Sequence, residues 1–328
     1  MADTAAVRLC VIGAGRHASR NIYPNFHRLR GARVVANADL DEAKGRAVAQ
    51  AFGIPRTTTD WRRMVEAEEP DGVLVCIGPS AHERLAPELL AMGLHVYTEK
   101  PHATSLAASR RILAAQRASG KVCMVAFKKR FAPAYVQARA AVGSEEFGRP
   151  LLLTMLRTTG SRSEEPSDYL LHWGCHATDL VHYLFGPVER VAAATTAAPT
   201  LAYTVNLGFA NGAVGNLAVS NRVGGCWEEV SLVGSRFARV VVRNSVDMVR
   251  YQGDQPVAAH WPSFSHGACD SAVEQGFVGE LQEFVDAIRE RREPESSIPS
   301  ATHTLAIHEA IERSVREGQA AEVEPIEP

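Results

Sequence analysis

Five short apolar runs punctuate the first 126 residues: Val7–Ile12, Arg33–Ala38, Gly72–Ile77, His95–Thr98 and Val122–Ala126. Turn residues bound each run, and longer stretches with helical spacing lie between them, at Asp41–Phe52, Asp60–Glu68, Ala81–Met92 and Ser105–Ala118. Short runs that are apolar throughout suit strands buried on both faces. Such strands are parallel, and parallel strands require crossover helices of fixed right-handed sense. The alternation predicts an α/β domain of βαβ units over residues 1–126.

After Phe127 the rhythm changes. Leu151–Thr158 reads as a strand, Ser161–Asp168 as a polar loop, and Tyr169–Phe185 as a helix stopped by Gly186-Pro187. Successive strands follow at Val188–Thr196, Ala202–Phe209, Val214–Ser220, Cys226–Val233, Ala238–Asn244 and Asp247–Tyr251. The Asn211-Gly212 step signals a hairpin. A three-residue loop with a bulge and Gly212 in the left-handed region would set Leu207 opposite Leu217 and Val205 opposite Val219. Helices return at Val278–Arg291 and Thr302–Glu317. Residues 127–328 are thus expected to form an α+β domain with a mostly antiparallel open sheet. No internal repeat or low-complexity segment interrupts it, and Glu322–Pro328 reads as a frayed tail.

Two domains suit 328 residues at roughly 150 each. Thirty-five basic against thirty-seven acidic residues give a formal charge of -2, without the basic excess of a nucleic-acid binder. No apolar stretch is long enough to span a membrane, and residues 1–6 carry no basic cluster of a secretory signal. The cysteines at 10, 76, 123, 175, 226 and 269 form no CxxC pair, and several sit in apolar runs as reduced core thiols do. A cytoplasmic protein with no nucleic-acid or membrane partner is expected.

Between the first strand and a helix lies Gly13-Ala14-Gly15-Arg16-His17-Ala18. In a strand–turn–helix of this kind the first glycine makes the tight turn. The second lets a pyrophosphate approach the backbone, and the small third residue lets the helix pack on the sheet. The second strand ends in Ala36-Asn37-Ala38-Asp39, where an acid would bond the ribose hydroxyls of NAD and repel the 2′-phosphate of NADP. Leu40, rather than an arginine, follows it, so NAD is favoured. The alternative role for Asp39 is capping the helix that starts near Asp41. Three further segments fall at carboxyl ends of strands in the same sheet, where open α/β folds bind ligands: Gly78-Pro79-Ser80-Ala81-His82, Glu99-Lys100-Pro101 and Phe127-Lys128-Lys129-Arg130-Phe131. Pro101 biases Lys100 toward extended backbone at the crevice mouth. A surface Glu–Lys pair is the plainer alternative.

At about 100° per residue, His172, His176, Asp179 and Tyr183 share one stripe of the helix over 169–185, and Trp173, Ala177, Leu180 and Leu184 form an apolar stripe beside it. A stripe so rich in titratable groups suggests the wall of a cleft. Acid/base work by His176 is the leading reading, beside a structural histidine. The His172/His176 pair has metal-ligand spacing but no evident third ligand, so no metal is expected. Arg157, Arg162, Tyr169 and Trp173 are candidate substrate contacts near the cleft entrance. Cys175 points off the stripe as a packed thiol.

Together these segments resemble the glucose–fructose oxidoreductase / inositol dehydrogenase / rhizopine-catabolism family of NAD(P)-dependent oxidoreductases. The Gly-rich turn, Glu99-Lys100-Pro101, Lys129-Arg130-Phe131-Ala132-Pro133, the His176-Ala177-Thr178-Asp179 helix and Gly279–Ile288 occur in the family's order. The resemblance implies a Rossmann domain followed by a substrate-binding and oligomerisation domain. It also implies hydride transfer between NAD(P) and a secondary alcohol or ketone of a sugar, cyclitol or aminocyclitol-like compound. Lys100 would polarise the substrate oxygen and His176 would take its proton. Gly13, Gly15, Arg16, His17 and Asp39 would hold the cofactor, with Pro79, His82, Glu99, Lys100 and Arg130 around it. Lys100, Arg157, Tyr169, Trp173, His176 and Asp179 would meet substrate, and a homodimer or homotetramer is implied. Similar folds also support two other activities, a redox-neutral NAD-dependent glycosidase or eliminase and a non-enzymatic nicotinamide-cofactor sensor with a protein partner. One position departs from the family. Many of its members carry aspartate where this chain has His172, which removes a negative charge from the expected proton relay and makes His172 itself a candidate catalytic group.

Overall fold

The computed structural model describes residues 6–160, 165–196, 201–262 and 270–326. They divide into two compact units, the first reaching Lys128 and taking in Phe277–Ala301, the second holding Lys129–Gly276 and the remainder.

In unit one, six parallel strands run β1 (Val7–Ile12), β2 (Ala32–Ala38), β3 (Arg56–Thr58), β4 (Gly72–Val75), β5 (His95–Thr98) and β6 (Cys123–Val125). Their order in the sheet, β3-β2-β1-β4-β5-β6, is the doubly wound arrangement expected from the alternation. Helices α1 (Glu42–Phe52), α2 (Trp61–Glu68), α3 (Pro79–Ala91) and α4 (Leu106–Ser119) make the crossovers. Asp41, Asp60 and Ser105 cap α1, α2 and α4 by accepting amide hydrogens of the first turn. Val11, Val73, Leu74, Val75, Val96 and Tyr97 are fully buried, as two-sided strands require. The polar triplet of β3 carries no apolar run, which is why this edge strand is not readable from the sequence. The crossover after β1 departs from a regular α-helix: a π turn at Ala18–Ile22 leads into a 3-10 helix at Tyr23–Arg28. Pro24 lies at the junction, where its missing N–H prevents a continuous α ladder.

Unit two contains α5 (Pro133–Val142), β7 (Pro150–Gly160), α6 (Pro166–Tyr169), a π turn (Leu170–Gly174) and α7 (Cys175–Phe185). Then come β8 (Val188–Thr195), β9 (Ala202–Phe209), β10 (Val214–Ser220), β11 (Arg222–Gly234), β12 (Ala238–Arg243), β13 (Asp247–Gln252), β14 (Gln255–His260), α8 (Ser271–Glu274) and, last in the chain, β15 (Ala321–Glu322). The nine strands order as β14-β13-β12-β11-β7-β10-β9-β8-β15, antiparallel except for the β7/β10 pair. Along β7, Leu153, Met155, Arg157 and Thr159 are buried, while Leu152, Thr154 and Leu156 are exposed on the opposite face.

The hairpin between β9 and β10 has the expected three-residue loop, with Gly212 at φ 82, but it is centred on Asn211. Gly212 N–H donates to the Phe209 carbonyl, and Phe209 N–H to that of Ala213. The pairs are therefore Leu217 with Val205 and Val219 with Tyr203, two residues from the expected register. A shift of two leaves every side chain on its expected face, so the hydrophobic pattern could not distinguish the registers.

Helix α9 (Phe277–Glu290) and the start of α10 (Ile298–Glu317) belong to unit one, which corrects a single division at residue 126. Phe284 of α9 meets the Tyr97 ring edge-on at 5.8 Å, and Ser296 exchanges hydrogen bonds with Val125 at the end of β6. The apolar face of α9 covers a parallel sheet that would otherwise be open there.

Candidate active site

In unit one the expected groups gather at the carboxyl end of the parallel sheet. Gly13 adopts φ 107, and a Cβ there would stand 2.4 Å from the Cys76 carbonyl oxygen, so only glycine fits. A Cβ on Gly15 would meet nothing within 4 Å, leaving the turn open to a ligand's close approach. Asp39 braces this turn. Its carboxylate accepts from Ala14 N–H at 2.6 Å and from Asp41 N–H at 2.8 Å. The cap of α1 is Asp41, not Asp39. A glycine turn closed by an acid at the end of β2 fits a dinucleotide whose pyrophosphate approaches Gly15 and whose ribose lies toward Asp39.

The Glu99-Lys100-Pro101 segment, whose Lys100–Pro101 bond is cis, is held from two sides. Glu99 is buried, and its carboxylate takes His17 Nε2 at 2.9 Å and the Lys100 amide at 3.2 Å. Burial alone would push the Glu99 pKa up. The hydrogen bond and charge of His17, with Lys100 beside it, outweigh that and hold it below the usual carboxylate range. Asn21 Nδ2 lies 3.2 Å from His17 Nδ1, so both ring nitrogens have a polar neighbour. His82 is fully buried, with Nδ1 on the Pro101 carbonyl at 2.9 Å and Nε2 accepting from Ile77 N–H at 3.3 Å. Both ring nitrogens are thus engaged by backbone, and burial lowers the His82 pKa, so the neutral ring fastens β5's exit to β4's. Arg16 is exposed and Pro79 opens α3.

Unit two arranges its candidates around α7. His176 is buried, while His172 lies in the π turn, about two-fifths exposed, with Nε2 3.4 Å from Asp168 Oδ1. Ala177, Leu180 and Leu184 are buried as expected, but Trp173 of the same predicted stripe is 41% exposed. The π turn widens the helix there and breaks the 100° count that put Trp173 in line with them. Asp179 does not line an open wall: it is buried, and both its oxygens are bound by Arg130 at 2.5–3.1 Å. Arg130 also lies over the Tyr183 ring, at 5.2 Å. Arg157 and Tyr169 are likewise buried rather than at an entrance, and Arg162 lies outside the described residues.

The sequence reading missed a buried ionic cluster in this unit. Glu228 accepts from Lys129 Nζ, Tyr135 Oη and Ser245 Oγ through one oxygen, at 2.7, 2.7 and 2.9 Å. Its other oxygen takes Arg157 at 2.5 Å. A glutamate within the predicted strand Cys226–Val233 was the available signal. Cys10, Cys76, Cys123 and Cys175 are buried free thiols, whereas Cys226 is exposed, and Cys269 lies outside the described residues. No group of metal-ligating side chains occurs among the described residues.

Two family models match consecutive parts of the chain: the GFO/IDH/MocA oxidoreductase family's NAD-binding Rossmann fold at residues 7–127, and its C-terminal domain at 135–238. The chain belongs to this family. It is 28% identical to an inositol 2-dehydrogenase of Acidothermus cellulolyticus, over 84% of this chain and 85% of that protein. With a D-apiose dehydrogenase of Paraburkholderia graminis the identity is 27%, over 97% and 90% respectively. The fold matches that of a levoglucosan dehydrogenase solved in complex with NADH, with TM-score 0.85 and 20% identity over 98% of this chain and 100% of the other. As in its relatives, an NAD(P)-dependent oxidoreductase is what the fold and family support. No helix among the described residues is long and apolar enough to cross a membrane.

Proposed function

We propose that this protein is an NAD-dependent dehydrogenase that interconverts a secondary alcohol and a ketone on a sugar, cyclitol or aminocyclitol-like substrate. The observation that carries the proposal is the double bracing of Glu99-Lys100-Pro101 by His17 and His82, which holds the lysine's backbone at the carboxyl end of the sheet. A surface Glu–Lys pair would need no such support. The bound nicotinamide supplies the hydride acceptor or donor. Lys100 and His176 act as the acid/base pair: in the oxidising direction Lys100 holds the substrate oxygen and shares in the proton transfer, and His176 receives the hydroxyl proton.

Gly13 and Gly15 admit the pyrophosphate, and Asp39 takes the ribose hydroxyls, which favours NAD over NADP. His17, His82 and Glu99 support the Lys100 segment, and Arg130 and Asp179 fix α7 from within unit two. His172 has a carboxylate neighbour in Asp168, one turn earlier, so the charge that relatives with aspartate at position 172 carry is offered here from a different position. Trp173 is the exposed candidate for substrate contact in unit two. Leu152, Leu156 and Val214 on the exposed sheet face suit a homodimer or homotetramer.

The test offers NAD or NADH to the purified protein with a panel of sugars, inositols, aminocyclitols and their keto forms, following NADH absorbance. A substrate-dependent change that Lys100→Met abolishes supports the proposal. Tight NADH binding with no change across the panel would favour redox-neutral chemistry or a sensor.

A further inference from the structure

The sequence singles out Gly279–Ile288 only as a family segment, but the structure gives one of its residues an unusual position. Glu280 lies on α9 in line with Phe277, Leu281 and Phe284, the residues that bury against the sheet of unit one, and it is itself only 1% exposed. Its carboxyl group faces the hydroxyl of Tyr97 on β5, the strand that α9 covers, but the two do not close to a well-formed hydrogen bond, and neither group has another partner among the described residues. A carboxylate left in that position would lose its hydration with only partial compensation.

The charged and titratable groups facing Glu280 come from three further elements. Glu99 and Lys100 lie at the end of β5, beside Tyr97 on the strand itself; Cys76 follows β4; and Lys128 follows β6. Glu99 already carries a negative charge, fixed by His17 and the Lys100 amide. Burial, followed by the charge of Glu99, pushes the Glu280 pKa well above the carboxylate range, against the opposing pull of Lys128, the Tyr97 hydroxyl and Lys100. Two carboxyls in one dry region share a single negative charge when like-charge repulsion and burial act together.

We propose that Glu280 is a positioning residue for the Lys100 end of β5, held as a neutral carboxylic acid so that it adds no second negative charge beside Glu99 where Lys100 and His17 lie. A second anion would stabilise the ammonium of Lys100 and hinder it from giving up a proton. The inference rests on reading Lys100 as a proton-handling group.

Two readouts independent of turnover test it. In protein labelled with carboxyl-13C glutamate, one resonance should keep the chemical shift of the acid form at neutral pH and vanish in Glu280→Gln. Reductive 13C-methylation of the five lysines, with Lys100 assigned by its loss in Lys100→Met, gives the Lys100 titration midpoint. Glutamine copies the neutral acid, so Glu280→Gln should leave that midpoint within about half a unit of wild type. Removing a true carboxylate partner would lower it by about one unit or more. Absence of an acid-form resonance, or such a drop, overturns the proposal. If Glu280→Gln does not fold, the wild-type spectrum decides, because among the described residues the other buried glutamates, Glu68, Glu99, Glu228 and Glu274, are ion-paired, and the half-buried Glu312, also raised by burial, is identified by its loss in Glu312→Gln. Wild-type turnover by Lys100→Met would instead refute the reading of Lys100, and leaves the protonation of Glu280 to be judged by its own resonance.

Discussion

Replacing Glu228 with glutamine should destabilise unit two strongly and change its response to acid. Among the described residues Glu228 is the one anion bonded to Lys129 and Arg157, and all three side chains are less than one-tenth exposed. Glutamine preserves shape but leaves two buried cations facing a neutral amide, and it turns an NH2 donor toward groups that already donate. Breaking a buried ion pair from one side costs about 3–5 kcal/mol, and the second cation places this site toward the upper end. The Glu228 pKa is pushed far below the carboxylate range because Lys129 and Arg157 outweigh the burial that would raise it. A depressed folded-state pKa means that the cluster's contribution is complete above the unfolded value of about 4.3 and is lost as pH falls toward the folded one. The assay is urea unfolding followed by tryptophan fluorescence, since Trp173, Trp227 and Trp261 all lie in unit two. The gap between wild type and Glu228→Gln should be constant from pH 7 to about pH 5 and shrink below about pH 4. Adding Lys129→Met to Glu228→Gln should recover at least about 1 kcal/mol, because one stranded cation is removed. A cost under about 1 kcal/mol, or a gap that widens with acid, would refute this account of the cluster.

Three further outcomes are expected. Asp39→Ala should weaken NAD binding about ten- to a hundredfold, through loss of a charge-assisted contact, while NADP binding improves relative to NAD; equal NADH and NADPH affinity in the wild type would count against Asp39 as selector. His172→Ala should lower turnover severely with NADH affinity unchanged, and wild-type turnover would show that the Asp168–His172 pair is dispensable. Gly13→Ala should abolish NADH binding, measured by fluorescence, because the added methyl collides with the Cys76 carbonyl.

The parallel half of the fold was legible, apart from the polar edge strand β3, because two-sided burial and crossover helices leave their mark on the central strands. The second sheet was legible as strands, but its pairing was not. The parallel β7/β10 contact and the Asn211-centred loop depend on three-dimensional closure, and a two-residue slip conserves the facing of every side chain. Helical counting served as far as Cys175 and failed at Trp173, where a π turn intervenes, a feature that apolar periodicity does not report. Of the candidate site residues, the glycine turn, Asp39 and the Glu99–Lys100 segment stood out by their position after strands. The bracing roles of His17 and His82 did not, since their partners are a distant carboxylate and backbone carbonyl or amide groups. Arg130, Asp179 and Arg157 looked like ligand contacts because charged residues near a predicted site resemble binding groups, and only the structure shows that Arg130 pairs with Asp179 and Arg157 with Glu228, all of them buried.

The most direct test of the central claim is turnover by wild type and Lys100→Met on whichever sugar or cyclitol first yields NADH, with NADH affinity measured for both. The account predicts loss of turnover by several orders of magnitude with cofactor binding retained within a few-fold, since the lysine acts on substrate oxygen rather than on the dinucleotide. Turnover by the variant close to wild type would contradict it.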